Sequence, residues 1–508
     1  MFLKLLKIPI VRHLIAGLAI LIIGYFIGNS PTQEIKGKYD ELSKSHQQLK
    51  VTLDTLQNKV IKMASQDRIK VENNLRGLHL KKGGTLQFLP DTNISQEKKE
   101  TPREIRKKKR ANRKSKKKRL MSNLPDVKIN INTEGISQSL QTQDGIAGMI
   151  LTGAAVSGKI QLNTPEVVYS VSDAESKGIT ATGRNDYAYK QIQQFYDEAK
   201  SGAELWIMLV SADVLTSDML DKNKEYSKTL FNSSKGTIRL LGVSRKATLP
   251  AETENGIDKD VELSVLKAQS LIEEYAPRFK EASVIIDGAN YTGEPTELKD
   301  YTQNNDEFVS VLLANSDGST NACVGLLLGR LAKDPVQRNP GRVRSGALPI
   351  LQGYLTNKEK VDNQENHWNT LHKKGYIIMR SFAGRSGYFF SHAPTAVTAQ
   401  NNLNTIPRVR TIYKARRLSY NVFIDEILEE IPIDASGKIA PALIKGWEAK
   451  IDTTLNREMT AKGEISSIRV NIPPDQDILS NDQLQLSLDI QPVGNAGNIV
   501  INLGFATV

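Results

Sequence analysis

The feature that most constrains this chain is a run of positive charge that ends abruptly at Met121. Residues 103–119 (REIRKKKRANRKSKKKR) contain twelve Lys and Arg in seventeen positions. Residues 1–120 as a whole carry 28 Lys and Arg against 10 Asp and Glu, whereas residues 121–508 carry 40 against 46. The pI of about 9.3 therefore originates in the first quarter. Because the larger part is mildly acidic, the charge distribution predicts two unlike pieces and no specific nucleic-acid partner.

Residues 1–33 predict a membrane anchor. Residues 14–28 (LIAGLAILIIGYFIG) are apolar and uncharged, and extension back to residue 8 makes the segment long enough to span a bilayer. Lys4, Lys7 and Arg12 precede it, which favours an uncleaved signal-anchor with a cytoplasmic N-terminus. A cleaved signal peptide is the alternative. Residues 8–28 are thus the predicted membrane contact.

Residues 34–120 predict an extended connection. Apolar residues recur every seven positions from Ile35 to Met63, and a second set runs from Tyr39 to Val60, which predicts a coiled coil over 34–82. Residues 83–120 are polar and then basic, and they predict a disordered linker. Contact with phosphates or an anionic leaflet is the alternative role for the basic run. This arrangement supports one function class, a membrane-anchored coiled-coil adaptor or scaffold protein.

From residue 146 onward, apolar strand patterns alternate with helical ones. Strands are predicted at 146–151, 205–210, 238–243, 284–286 and 308–313, and helices at 187–199, 261–279 and 321–332. Such alternation predicts an α/β fold with a mostly parallel sheet. Residues 406–431 then predict a basic helix, residues 439–459 a second helix, and 484–490 and 499–505 two strands. The C-terminal part is therefore predicted to be α+β.

Sequence motifs for catalysis are weak. Residues 153–159 (GAAVSGK) have the spacing of a phosphate-binding loop, but Ile160 stands where the motif needs Ser or Thr, and Pro165 opposes the required helix. A nucleotide-dependent enzyme is the hypothesis that rests on this loop. Cys323 lies in an apolar helical run and His367 and His372 have no ligand partners in sequence. We predict a non-enzymatic protein with no catalytic residue, cofactor or metal site.

Several segments between residues 125 and 508 resemble the contractile phage tail sheath proteins. They are most similar to the branch catalogued as a domain of unknown function in Mu-like and Bacteroidetes phages. The segments that carry the resemblance are residues 144–148 (DGIAG), 336–343 (VQRNPGRV), 384–390 (GRSGYFF), 408–410 (RVR) with 414–415 (KA), 491–494 (QPVG) and 501–505 (INLGF). Their order along the chain is more specific than any one of them.

The resemblance implies a subunit that polymerises in stacked, hexameric rings around an inner tail tube and contracts to drive the tube through a target envelope. It implies an N-terminal strand arm at 121–145, a sheath α/β domain at 146–400, a helical part at 401–482 and a C-terminal strand arm at 483–508. The arms would donate strands to neighbours. The arm residues expected at the subunit interface are Val127, Ile129, Ile131, Ile499, Ile501, Leu503 and Phe505, and the candidate contacts to the tube or a neighbour are Arg408, Arg410, Lys414, Arg416 and Arg417.

The implied partners are further copies of the chain, the tube protein, and baseplate and tail terminator proteins. The implied location is a virion tail assembled in the bacterial host cytoplasm. A membrane anchor conflicts with this location because it would tether every subunit of a soluble lattice. Either the protein is the sheath of a membrane-associated contractile injection system, with residues 1–30 in the inner membrane, or two coding units are joined and the working protein begins near Met121.

Overall fold

The computed structural model describes residues 78–80, 86–88, 144–248, 251–434, 437–476 and 478–501. The chain divides into two compact units, Met1–Met121 and Ser122–Val508, so the unit boundary coincides with the break in charge. In the first unit, β1 (Leu78–Leu80) pairs antiparallel with β2 (Leu86–Phe88). The predicted membrane anchor lies outside the described residues, as do the predicted coiled coil and linker apart from these two strands.

No helix in the described ranges is long and apolar enough to cross a bilayer.

The second unit contains strands and helices in alternation. Its strands are β3 (Ala147–Thr152), β4 (Pro165–Val168), β5 (Leu205–Val210), β6 (Leu240–Ser244), β7 (Thr253–Glu254), β8 (Ile257–Asp258), β9 (Ser283–Asp287), β10 (Asn305–Asp306), β11 (Val309–Leu312), β12 (Ala314–Asn315), β13 (Tyr354–Leu355), β14 (Tyr376–Ile377), β15 (Met379–Phe382), β16 (Arg385–Phe390), β17 (Ala396–Val397), β18 (Ile465–Asn471) and β19 (Ser487–Pro492).

The helices of this unit follow the same order. They are α1 (Val171–Ser176), α2 (Asp186–Ala199), α3 (Thr216–Met219), α4 (Glu225–Ser233), α5 (Asp260–Tyr275), α6 (Val324–Lys333), α7 (Glu365–Lys373), α8 (Ile406–Phe423), α9 (Pro441–Leu455) and α10 (Ile478–Asn481). Short 3₁₀ helices lie at Ala276–Arg278, Tyr301–Gln303, Val343–Ser345, Val361–Gln364 and Ile424–Glu426, and α9 continues as a π-helical turn at Asn456–Thr460. The predicted helix at 261–279 is thus interrupted near Pro277, which cannot donate a helical hydrogen bond.

A seven-stranded sheet forms the centre of the unit, in the order β14-β11-β9-β6-β3-β5-β4. All neighbours are parallel except the edge strand β4, which runs antiparallel to β5. The inner strands read as continuous apolar runs because helices cover both faces of a parallel sheet. The prediction of an α/β fold is therefore confirmed.

Close helix packing covers one face of the sheet. Helix α6 lies directly on α2, and a Cβ at Gly325 would stand 1.9 Å from the Gln191 carbonyl oxygen. Gly325 is needed there because the two backbones approach too closely for any side chain. Cys323 is buried at the start of this helix.

Helix α8 lies across the amino ends of the parallel strands. It contacts residues that stand just before those strands, namely Asp144 before β3, Glu281 before β9 and Phe308 before β11. Beyond α8, helix α9 packs its apolar stripe, including Trp447 and Ile451, against the two-stranded sheet β18–β19. A second, smaller core forms here, next to the one around the large sheet.

Candidate assembly site

The two-stranded sheet β18–β19 offers unpaired strand edges. The strands pair antiparallel, with Ile468 opposite Ile490 and Val470 opposite Leu488, and a register shift follows Ile465. One face packs on α9, which holds the sheet to the subunit. In the part of the chain that the structure describes, neither strand has a second partner strand, so both outer edges present backbone N–H and C=O groups. Such edges are templates for strands of another chain.

The segment after β19 exposes consecutive apolar side chains. Ile499, Val500 and Ile501 have 78%, 83% and 73% of their surface exposed, and residues 499–501 pair with no strand that the structure describes. The predicted C-terminal strand is therefore not formed within the subunit over these three residues. Leu503 and Phe505 lie outside the described residues, as do Val127, Ile129 and Ile131 of the predicted N-terminal arm. Their roles stay predictions.

The basic residues of α8 divide into two groups. Arg408 is exposed at the surface. The other four predicted contact residues, Arg410, Lys414, Arg416 and Arg417, are between 4% and 7% exposed. A helix turned so that most of its cations face inward needs carboxylates to receive them. The structure supplies those carboxylates from segments far away in sequence.

The buried cations form an ion-pair network. The Lys414 Nζ lies 2.9 Å from Asp144 Oδ2 and 2.7 Å from Glu464 Oε2. The Arg417 Nη2 lies 2.8 Å from Asp144 Oδ1, and its Nη1 pairs with Glu281. Burial raises the pKa of Glu464, although Lys414 opposes that shift. Because these four cations are buried within the subunit, Arg408 remains as the proposed contact to a tube or neighbour.

Arg408 lines a shallow groove beside the end of β19. The groove has a volume of about 60 Å³ and includes Ile490, Pro492 and Asn495. The Arg408 guanidinium donates hydrogen bonds to the Asn402 carbonyl oxygen at 3.4 Å and to Asn404 Oδ1 at 3.3 Å. An exposed cation and the start of the exposed C-terminal segment therefore share one surface.

The loop with phosphate-binding spacing does not form such a site. Its backbone closes on itself, with the Val156 N–H donating to the Ile160 carbonyl at 2.9 Å and the Lys159 N–H to the Val156 carbonyl at 3.0 Å. The chain then returns as the edge strand β4 rather than as a helix. Without a helix N-terminus at this loop, the hypothesis of a nucleotide-dependent enzyme has no structural support.

A polar network at the carboxyl ends of β6 and β9 was not predicted. The Asp287 carboxylate accepts hydrogen bonds from Asn321 Nδ2 at 2.8 Å and from the Ala322 N–H at 2.7 Å. Ser244 and Tyr187 complete the network through short hydrogen bonds. Burial raises the pKa of Asp287 to about 6. In the sequence, the available signal for this network was a polar residue at the last position of each of two apolar strands.

Stability should depend on the protonation of Asp287. Its pKa is higher in the folded than in the unfolded chain, so between about pH 4 and 6 the folded state retains a proton that the unfolded state has lost. The contribution of Asp287 to the free energy of unfolding should fall by roughly 2–3 kcal/mol as pH rises through this window. Asp287→Asn should flatten that part of the profile in urea titrations at several pH values, and an unchanged slope in the variant would contradict this.

Two family models cover most of the chain. The model described as DUF2586, N-terminal domain, matches residues 124–394, and that described as DUF2586, C-terminal domain, matches residues 404–508. This chain belongs to the DUF2586 family. The interval between the two DUF2586 domains lies just before α8. The family resemblance predicted from sequence over about 125–508 is therefore confirmed. None of the curated proteins matches the sequence.

Solved structures of a contractile particle share the fold. The helical sheath of the anti-feeding prophage in its contracted state has 14% identity and a TM-score of 0.51, over 76% of this chain and 99% of that chain. A chain in the six-fold symmetrised baseplate of the same particle has 13% identity and a TM-score of 0.51, over 76% of this chain and 100% of that chain. At these identities the similarity shows a shared fold.

Proposed function

We propose that this DUF2586 protein is the structural subunit of a contractile sheath. It would polymerise as stacked rings around an inner tube and contract to drive that tube through a target envelope, without catalysing a reaction. The observation that carries the proposal is the open-edged sheet β18–β19 followed by the exposed apolar segment Ile499–Ile501, in a chain whose fold matches nearly the whole length of a known sheath subunit.

Strand donation would join the subunits. The exposed segment from one subunit would pair with an open edge of β18 or β19 in the next, which satisfies backbone groups on both chains. Burial of each Ile or Val side chain would contribute roughly 1.5–3 kcal/mol to the junction. Flexible junctions of this kind would keep subunits connected while the packing between their large domains changes. Contraction would then be a change between two lattice packings.

The proposed partners follow from this assembly. They are further copies of the chain, an inner tube protein, and the baseplate and terminator proteins at the two tail ends. The proposed location is a phage tail or a related contractile injection particle assembled in the bacterial cytoplasm. If residues 8–28 enter the inner membrane, the alternative proposal is that the protein is the sheath of a membrane-associated injection system.

Fractionation of cells that express the full-length chain tests the proposal. A sheath subunit should sediment as particles, and electron microscopy should show hollow tubes built of six-fold rings. A membrane-anchored adaptor should instead float with the membrane fraction and be released by detergent as small oligomers. Recovery of the protein in membranes with no tubes in any fraction would overturn the sheath proposal.

Arg408→Glu should impair assembly of the sheath on its tube. Arg408 is the exposed cation of α8, and reversal of its charge would place like charges against an acidic partner surface. We expect the yield of sheathed tubes to fall about tenfold or more when the variant is expressed with the other tail proteins. Arg385→Glu, at an exposed position of β16, serves as the matched control. Normal tails from the Arg408→Glu variant would show that Arg408 does not contribute to the interface.

A further inference from the structure

A small cavity lies between α8 and the amino ends of the central strands. Arg239, Arg410 and Arg417 line it together with Asp144 and Glu281, and its volume is about 20 Å³. That space is sufficient for one water molecule or one small ion. Phosphate and carboxylate groups are too large for it. The cavity is separate from the groove at Arg408 and from the strand edges.

Cations exceed carboxylates around this cavity. Three cationic side chains, Arg239, Arg410 and Arg417, line the cavity together with two carboxylates, Asp144 and Glu281. Lys414, Arg416 and Glu464 extend the same ion-pair network outside the lining. Each of these carboxylates is already paired with Lys414, Arg416 or Arg417. Asp334, which is also near Arg410, has its own cation in Arg338 at 3.0 Å. Arg239 and Arg410 therefore have no ion-pair partner of their own among the described residues.

Buried donors also remain without acceptors. Arg410 is 5% exposed, and its Nη2 donates to the carbonyl oxygens of Asp144 at 3.2 Å and Asp334 at 3.3 Å. Its Nε and Nη1 have no hydrogen-bond partner among the described residues, and neither has the Nε of Arg417. Burial lowers the pKa of Arg410 to about 10, so the guanidinium is still charged at neutral pH. Unpaired donors on a buried cation are costly, and an acceptor that carries negative charge would satisfy them.

We propose that this cavity binds one small monovalent anion of the halide class, held by the free N–H groups of Arg410 and Arg417. Chloride is the physiological anion of this size. A water molecule could accept the same hydrogen bonds, but it would leave the excess positive charge uncompensated. The anion would secure α8 to the amino ends of the sheet. This assignment does not depend on the proposed sheath function.

Thermal unfolding of the full-length chain tests the site. Chloride is exchanged for gluconate at constant ionic strength, so that general screening is unchanged. The folding equilibrium constant should rise about tenfold as chloride increases from a tenth of its dissociation constant to ten times that value. Arg410→Met should abolish this response. Arg408→Met removes the same charge two residues away at an exposed position and should retain it. An equal chloride response in all three proteins would overturn the proposal.

Bromide provides a second measurement that needs no variant. Crystals of the unaltered chain grown in bromide should show an anomalous peak within hydrogen-bonding distance of the Arg410 and Arg417 guanidinium groups. A cavity with no anomalous signal would overturn the proposal. This result stays informative if Arg410→Met does not fold.

Discussion

Removal of residues 495–508 is expected to leave a folded subunit that no longer polymerises. The deletion takes away the exposed side chains of Ile499, Val500 and Ile501, and no described residue in the deleted segment belongs to either hydrophobic core. The junction between subunits would lose its donated strand and the burial of at least three apolar side chains. Circular dichroism should show an unchanged fold, while sedimentation and electron microscopy should show subunits in place of tubes.

Point substitutions separate the effect of losing the donated strand from the effect of shortening the chain. Ile499→Asn combined with Ile501→Asn should reduce tube formation strongly because two side chains that the junction would bury become polar. Leu351→Asn, at another exposed apolar position, serves as the control and should assemble normally. Tubes of normal length after the deletion would count heavily against strand donation by this segment.

Glu281→Gln is expected to produce the largest loss of stability. Glu281 is 2% exposed and pairs with both Arg416 and Arg417, so its neutralisation removes the carboxylate that these two buried guanidinium groups share. Removal of one partner from a buried ion pair typically costs about 3–5 kcal/mol. The free energy of unfolding from urea titration should fall by that amount. The same series of urea titrations can also measure how the stability of the unaltered chain depends on chloride.

An exposed ion pair provides the control for this substitution. Glu252 pairs with Lys259 at the surface, and Glu252→Gln should leave the urea midpoint almost unchanged because solvent already screens that pair. If Glu281→Gln unfolds at the same urea concentration as Glu252→Gln, the buried network does not stabilise the subunit. A Glu281→Gln protein that is unfolded at all urea concentrations would agree with the prediction.

The elements of the central sheet were predictable because their signals are local. The predicted strand at 205–210 is observed as β5, and those at 146–151 and 308–313 are observed as β3 and β11 with ends that differ by one residue. The helix that begins at Ile406 was also predicted, although it ends at Phe423 rather than residue 431. Continuous apolar runs and helical periodicity specify such elements without knowledge of their neighbours.

Local sequence signals did not predict which side of α8 faces the core. Arg408 and Arg410 are two residues apart in the same basic pattern, yet the first is exposed and the second is buried. Arg417 is buried because Asp144, 273 positions earlier, meets it. Long-range pairs of opposite charge leave no periodic signal, since each partner alone resembles a solvated surface residue. The hydrogen bond between Ser244 and Asp287 was not predicted either, because it joins residues that are 43 positions apart in sequence.

By itself, the sequence determined where the chain changes character, which segments become strands or helices, and which family the chain resembles. These properties follow from charge, periodicity and short motifs, which act over neighbouring residues. The tertiary structure decided which cations are available to a partner and where carboxylates are buried. It also decided which strands are left with open edges. Those outcomes depend on contacts between segments far apart in sequence, whose desolvation and pairing energies exist only once the fold has formed.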